Sequence, residues 1–371
     1  MIPVYEPWIS DLEKAYAKEA IDSTWISSNG EFIAKAEKLF GEFLGTPHVI
    51  VANNGTTALH LCCRAAGMSS GNVVLVPSCT YAATAFAPLY CGATVKYVDA
   101  DPKTWNIDLD IVEEICKKEK VDFVIPVHLF GNPVDMPHLN RLANEFGFVV
   151  IEDACESIGA TIDGENTGRM SKLSAFSFYG NKTFTSGEGG AVVAQNGKLA
   201  DFAKMLRGQG QSFDRRYWHL AIGYNYRMTN VQAAILCAQI ERSEEILKEK
   251  KRVAAKYKSI FQKSKSIEMQ RVLTGHVHGS WMIVIKTPLN AEALAAELKK
   301  AGIDTRPMFY PLNEMPPLRT EDITPVSKGL SERCLMLPSS PLLSDEKIDF
   351  VCESVVKALD VSARTHNCRS V

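Results

Sequence analysis

With 371 residues, the chain is longer than a single hydrophobic core usually serves, so a large domain and a smaller one are expected. Its 46% hydrophobic and 23% charged residues are those of a soluble globular protein, and a formal net charge of −2 offers no pull toward nucleic acid or an anionic membrane surface. No apolar run is long enough to cross a bilayer, and Met1-Ile2-Pro3-Val4-Tyr5-Glu6 has neither the basic nor the apolar region of a signal peptide, so a cytoplasmic protein is expected.

In chain order, Ser10-Asp11-Leu12-Glu13 opens a helix with a capping-box pattern. A strand at Val49-Ile50-Val51 leads into Asn53-Asn54-Gly55-Thr56, which begins a helix with Ala58, Leu61, Cys62 and Ala65 on its apolar side. Four further runs read as buried strands: Val73–Val76, Thr94–Val98, Phe123–Val127 and Phe148–Ile151. Between them lie helical periods, one capped by Asp110 and carrying Ile111, Val112 and Ile115, the other from Met136 to Phe146. This alternation predicts βαβ units and a largely parallel sheet, whose ligands bind outside the carboxyl ends of the strands. From about Thr229 one long helical pattern runs toward Phe261 and links the domains. A strand at Trp281–Ile285 and a helix at Ala291–Ala301, capped by Asn290 and stopped by Gly302, fit a small α/β domain. The expected division is residues 1–240 and 241–371, with Ser362 to Val371 as a frayed tail. The ten cysteines, Cys368 included, form no C-x-x-C pair and read as reduced, mostly core residues.

Three places can carry chemistry. Gly55-Thr56 at a helix start offers free N–H groups and a hydroxyl, a cradle for phosphate, although by itself the pair reads first as a plain glycine turn and N-cap. Asp153 follows a buried strand at the ligand-binding edge, where a carboxylate can hold a cation, a metal or a protonated ring nitrogen. No His or Cys cluster with ligand spacing accompanies it, His276 and His278 read as ordinary surface or core residues, and no metal is expected. Lys182 lies among Phe176, Phe178, Tyr179 and Phe184 in a Ser/Gly-rich turn, a setting for a Schiff-base lysine rather than one that snorkels to water. Cradle, strand-end aspartate and enclosed lysine together make the part list of a pyridoxal-phosphate site.

At this point the chain resembles the fold-type-I sugar aminotransferases of the DegT/DnrJ/EryC1/StrS family. The resemblance rests on Asn54–Leu61, Ile151–Ala154, Phe176–Lys182, Gly187-Glu188-Gly189-Gly190 and Tyr224–Asn230. It implies a pyridoxal 5'-phosphate enzyme with a large, mostly parallel-sheet domain and a smaller C-terminal α/β domain. Lys182 would bind the cofactor and act as acid and base, and Asp153 would pair with the ring nitrogen. Glu156 would lie near the phenol oxygen and Tyr81 would stack on the ring, with Gly55, Thr56 and Ser177 on the phosphate. The family completes its sites across a homodimer, so Asn225 would reach in from the partner. Ser27, Arg215, Tyr217 and Tyr310 are the implied substrate contacts. Segments such as Thr24–Ser28, Arg215–His219 and Arg306–Pro311 extend the resemblance, which implies a nucleotide-linked 4-keto-6-deoxy sugar as amino acceptor and L-glutamate as donor. The acceptor implied first is GDP-4-keto-6-deoxymannose. UDP- or dTDP-4-keto-6-deoxyglucose is the alternative. Family members with histidine at the lysine position deoxygenate the sugar instead; Lys182 implies transamination.

Overall fold

Seven runs of small and β-branched residues pair into one sheet in a computed structural model that describes residues 1–367, with side chains through Val361. In chain order the strands are β1 (Val49–Ala52), β2 (Val73–Pro77), β3 (Thr94–Val98), β4 (Phe123–Val124), β5 (Val149–Asp153), β6 (Thr161–Ile162), β7 (Glu165–Asn166), β8 (Leu173–Ser177), β9 (Gly190–Ala194), β10 (His276–Val277), β11 (Ile283–Lys286), β12 (Arg306–Pro307) and β13 (Cys334–Leu337). The large sheet has the order β1-β9-β8-β5-β4-β2-β3. Every pairing from β8 to β3 is parallel, and β9 alone runs against its neighbours. Both faces of the sheet are covered by apolar clusters, as a parallel sheet requires.

A second sheet, β11-β13-β12, packs with the helices Ala291–Lys300 and Asp345–Asn367 around its own core. The N-terminal arm lies against this unit: Ile2 bridges Ile303, and Ser339 N–H donates to the carbonyl of Val4 at 2.9 Å. Between the two sheets, Trp105, Phe130, Trp281, Met282 and Met336 form a further buried cluster.

Several boundaries differ from the sequence expectation, each for a local reason. The helix assigned to an Asp110 cap is Leu109–Lys118, capped by Asp108, whose Oδ1 accepts from Asp110 N–H at 3.0 Å. Pro126 has no N–H to give, and β4 stops at Val124. The single helix expected from Thr229 to Phe261 is two, Asn230–Glu241 and Ser243–Phe261. Arg242 breaks them, held by bonds of 2.8 Å to Glu13 and 2.9 Å to Glu245. Helix also continues to Asn367 where a frayed tail is expected from Ser362. Cys368 and the last part of that tail lie outside the described residues, within which every cysteine is a free thiol. Among the described residues no helix is long and apolar enough to cross a membrane.

Candidate active site

The carboxyl ends of β1, β2, β5 and β8 open into one cavity of about 690 Å³. Its first wall is the turn after β1. Asn54 is extended and caps the helix Gly55–Ala65 by accepting from Thr57 N–H at 2.9 Å. This leaves the first N–H groups of the helix without intrahelical partners at the cavity. A Cβ placed on Gly55 would lie 2.8 Å from Ser177 Cβ and 3.2 Å from Cys155 Sγ. Only glycine lets this helix start come so close to the end of β8.

Asp153 is the last residue of β5, not the residue past it, and it is buried. Thr84 Oγ1 donates to Asp153 Oδ2 at 2.8 Å, and Cys155 N–H donates to Oδ1 at 3.2 Å, so both oxygens are oriented. Glu156, one turn on, accepts from Phe130 N–H at 2.8 Å and comes within 3.8 Å of Lys182 Nζ. Burial pushes its carboxyl up to about 7, against the lowering influence of the Lys182 charge and the Phe130 N–H.

Lys182 does not snorkel. Its side chain is 12% exposed, and Nζ sits 3.6 Å from the centre of the Trp281 ring, a cation–π contact in a nearly dry setting. The turn beneath it is fixed from two distant segments: Trp281 Nε1–H donates to Asn181 O at 2.7 Å, and Tyr5 O–H donates to Lys182 O at 3.0 Å. Opposite, the Tyr81 ring stands largely exposed at the cavity mouth beside Phe309.

Of the residues singled out in the sequence, Gly55, Thr56, Tyr81, Asp153, Glu156, Ser177 and Lys182 all line this cavity. Ser27, Arg215, Tyr217 and Asn225 are exposed and do not line it, and Tyr310 stands just outside, with its neighbour Phe309 turned in. Sequence reasoning missed Thr84, Trp281 and Arg306. Thr84 had a faint signal, as its hydroxyl lies one helical turn from that of Thr80. Trp281 carries no local pattern, and Arg306 stood only within the Arg306–Pro311 segment without being singled out itself.

Pyridoxal phosphate fits this donor set: an enclosed primary amine, an oriented carboxylate at a strand end, and a glycine-lined helix start for an anion. A solved DegT/DnrJ/EryC1/StrS aminotransferase from Brucella abortus superposes with a TM-score of 0.88 at 28% identity, covering 94% of this chain and 95% of its own. Fold and site thus define a pyridoxal-phosphate-dependent aminotransferase of fold type I. The chain belongs to the DegT/DnrJ/EryC1/StrS aminotransferase family, which it matches over residues 7–356. Among its relatives is the GDP-perosamine synthase of Escherichia coli O157:H7, 40% identical with 95% of this chain and 97% of that protein aligned. Another is the GDP-perosamine synthase of Caulobacter vibrioides, 39% identical with 97% of each chain aligned.

Proposed function

We propose that this chain transfers the amino group of L-glutamate to C4 of GDP-4-keto-6-deoxymannose, giving GDP-perosamine. The observation that carries the reaction type is the enclosure of the Lys182 amine, the Asp153 carboxylate and the Gly55–Ser177 cradle in one cavity. The choice of sugar rests on full-length similarity to two GDP-perosamine synthases.

When bound, pyridoxal phosphate supplies an electron sink and carries the amino group between the two substrates. On this reading Gly55 and Thr56 hold the phosphate with N–H groups at the helix start, and Ser177 adds its hydroxyl. Asp153 keeps a proton on the ring nitrogen, with its oxygens aimed by Thr84 and Cys155. Tyr81, at the cavity mouth, would cover the ring. Lys182 would anchor the cofactor, and its Nζ would take the proton from the α-carbon of glutamate and deliver one to C4 of the sugar. Glu156, with a carboxyl near neutrality beside Nζ, can hold or release a proton during the same cycle. Ser27, Arg215, Tyr217 and Asn225, exposed and outside the lining of their own cavity, would complete the site of a second copy in a homodimer, and Tyr310 would face the sugar at the mouth.

The test is spectroscopic and kinetic. Purified protein should carry a visible absorption band that L-glutamate bleaches. Lys182→Ala should fold and bind cofactor without that band and lose at least about a thousandfold in turnover. A variant that keeps both band and turnover would remove Lys182 from its role.

A further inference from the structure

Lys250 is a buried cation that the chemistry above does not use. It projects from the helix Ser243–Phe261 and is 2% exposed. Its ammonium donates to Trp281 O at 2.8 Å and Ser339 O at 2.6 Å, and lies 5.2 Å from the centre of the Tyr5 ring. Among the described residues no carboxylate pairs with it. Two of these three neighbours end on the active-site turn. The Trp281 ring touches Lys182 Nζ while its indole N–H holds Asn181 O, and Tyr5 O–H holds Lys182 O. A lysine buried without a counter-ion destabilises a fold, and such groups persist where they fix something.

We propose that Lys250 is a positioning residue for Lys182, clamping Trp281 and Tyr5 so that together they aim the catalytic amine. The inference rests on the assignment of Lys182 as the cofactor lysine and deepens it. Three N–H bonds of an ammonium match two carbonyls and one aromatic face. A side chain without N–H donors there leaves both carbonyls without a donor and frees the segment that bears Trp281. Burial alone lowers the pKa of Lys250, to about 7. The titratable groups around it are Tyr5, whose phenol burial raises, and His278, which burial and the Lys250 charge lower to about 4, so neither changes charge near neutrality.

The experiment compares holoenzymes of the wild type, Lys250→Met, Lys250→Arg and Lys182→Ala by pH titration of the visible band and by the rate of its bleaching with glutamate. In Lys250→Met the titration midpoint should move by more than about half a pH unit. Bleaching should slow at least about tenfold, while the half-saturating glutamate concentration changes less than about threefold. Lys250→Arg should recover part of both effects. A purely structural lysine would lower the melting temperature and leave the midpoint where it was; a wild-type midpoint and bleaching rate in folded Lys250→Met overturn the proposal. If Lys250→Met does not fold, Tyr5→Phe decides. It removes one hydroxyl from the same clamp, so a midpoint shift supports the proposal and a wild-type titration overturns it. Failure of the underlying site assignment looks different: the band would survive in Lys182→Ala.

Discussion

Glu156 is a carboxyl group buried beside a lysine, and its two opposing influences give it a measurable signature. Desolvation raises its pKa from the ordinary 4.5 to about 7 although Lys182 Nζ is only 3.8 Å away. The folded value lies above the unfolded one. Its contribution to stability is therefore fully present below pH 4.5 and is lost as pH rises through about 7. Cofactor-free wild type should thus lose stability relative to Glu156→Gln across that window, by an amount on the order of 3 kcal/mol. Denaturant midpoints of the two proteins at several pH values check this; a constant difference between them would mean that Glu156 is ionised throughout. Asp153, three residues earlier, accepts from both the Thr84 hydroxyl and the Cys155 N–H.

At the scale of elements, β8 joins the core to the site by the two-residue alternation of a strand. Phe176 and Phe178 point to one face, where each meets Phe40 edge-on at 5.1 Å, while Ser177 between them faces the cradle. Phe40, wholly buried on the helix Glu31–Leu44, therefore sets the level of the strand end. Phe40→Ala should cost about 3–5 kcal/mol of stability and weaken cofactor retention as well. Thermal melts with and without added pyridoxal phosphate would show both effects, and unaltered retention would separate Phe40 from the site. Much of this element was legible in the sequence. The Phe-Ser-Phe alternation, the glycine before its helix and the aspartate at the end of an apolar run are local patterns with local causes. Trp281, Tyr5 and Lys250 were not legible. They reach Lys182 through packing between segments as much as 177 residues apart, and a tryptophan beginning an apolar run looks like any core residue. The break at Arg242 did leave a trace, since Ser243-Glu244-Glu245 is an acidic helix start inside what reads as one continuous helix.

For the whole molecule, the outstanding feature is a set of large apolar side chains that one chain leaves uncovered. Trp25 is 60% exposed, Tyr217 76% and Ile222 90%, close in sequence to Ser27, Arg215 and Asn225, which do not reach their own cavity. A symmetric dimer would bury these side chains and deliver the polar residues to the neighbouring site. Mixing inactive Lys182→Ala with an inactive Asn225→Ala, after subunit exchange, should restore part of the activity, because some hybrids hold one site with both residues intact. Hybrids that form, as differential tags show, yet stay at parental activity would place Asn225 outside the shared site.

The chemistry itself is read most directly from the product. Holoenzyme is given isotope-labelled L-glutamate with GDP-4-keto-6-deoxymannose and, in parallel, with UDP- and dTDP-4-keto-6-deoxyglucose, and the nucleotide sugars are weighed by mass spectrometry. Labelled nitrogen should appear in the GDP sugar as GDP-perosamine, formed far faster than any amino product from the other two. A labelled product from only the UDP or dTDP sugar would contradict the sugar assigned here, and no label in any product would contradict amino transfer to a 4-keto sugar.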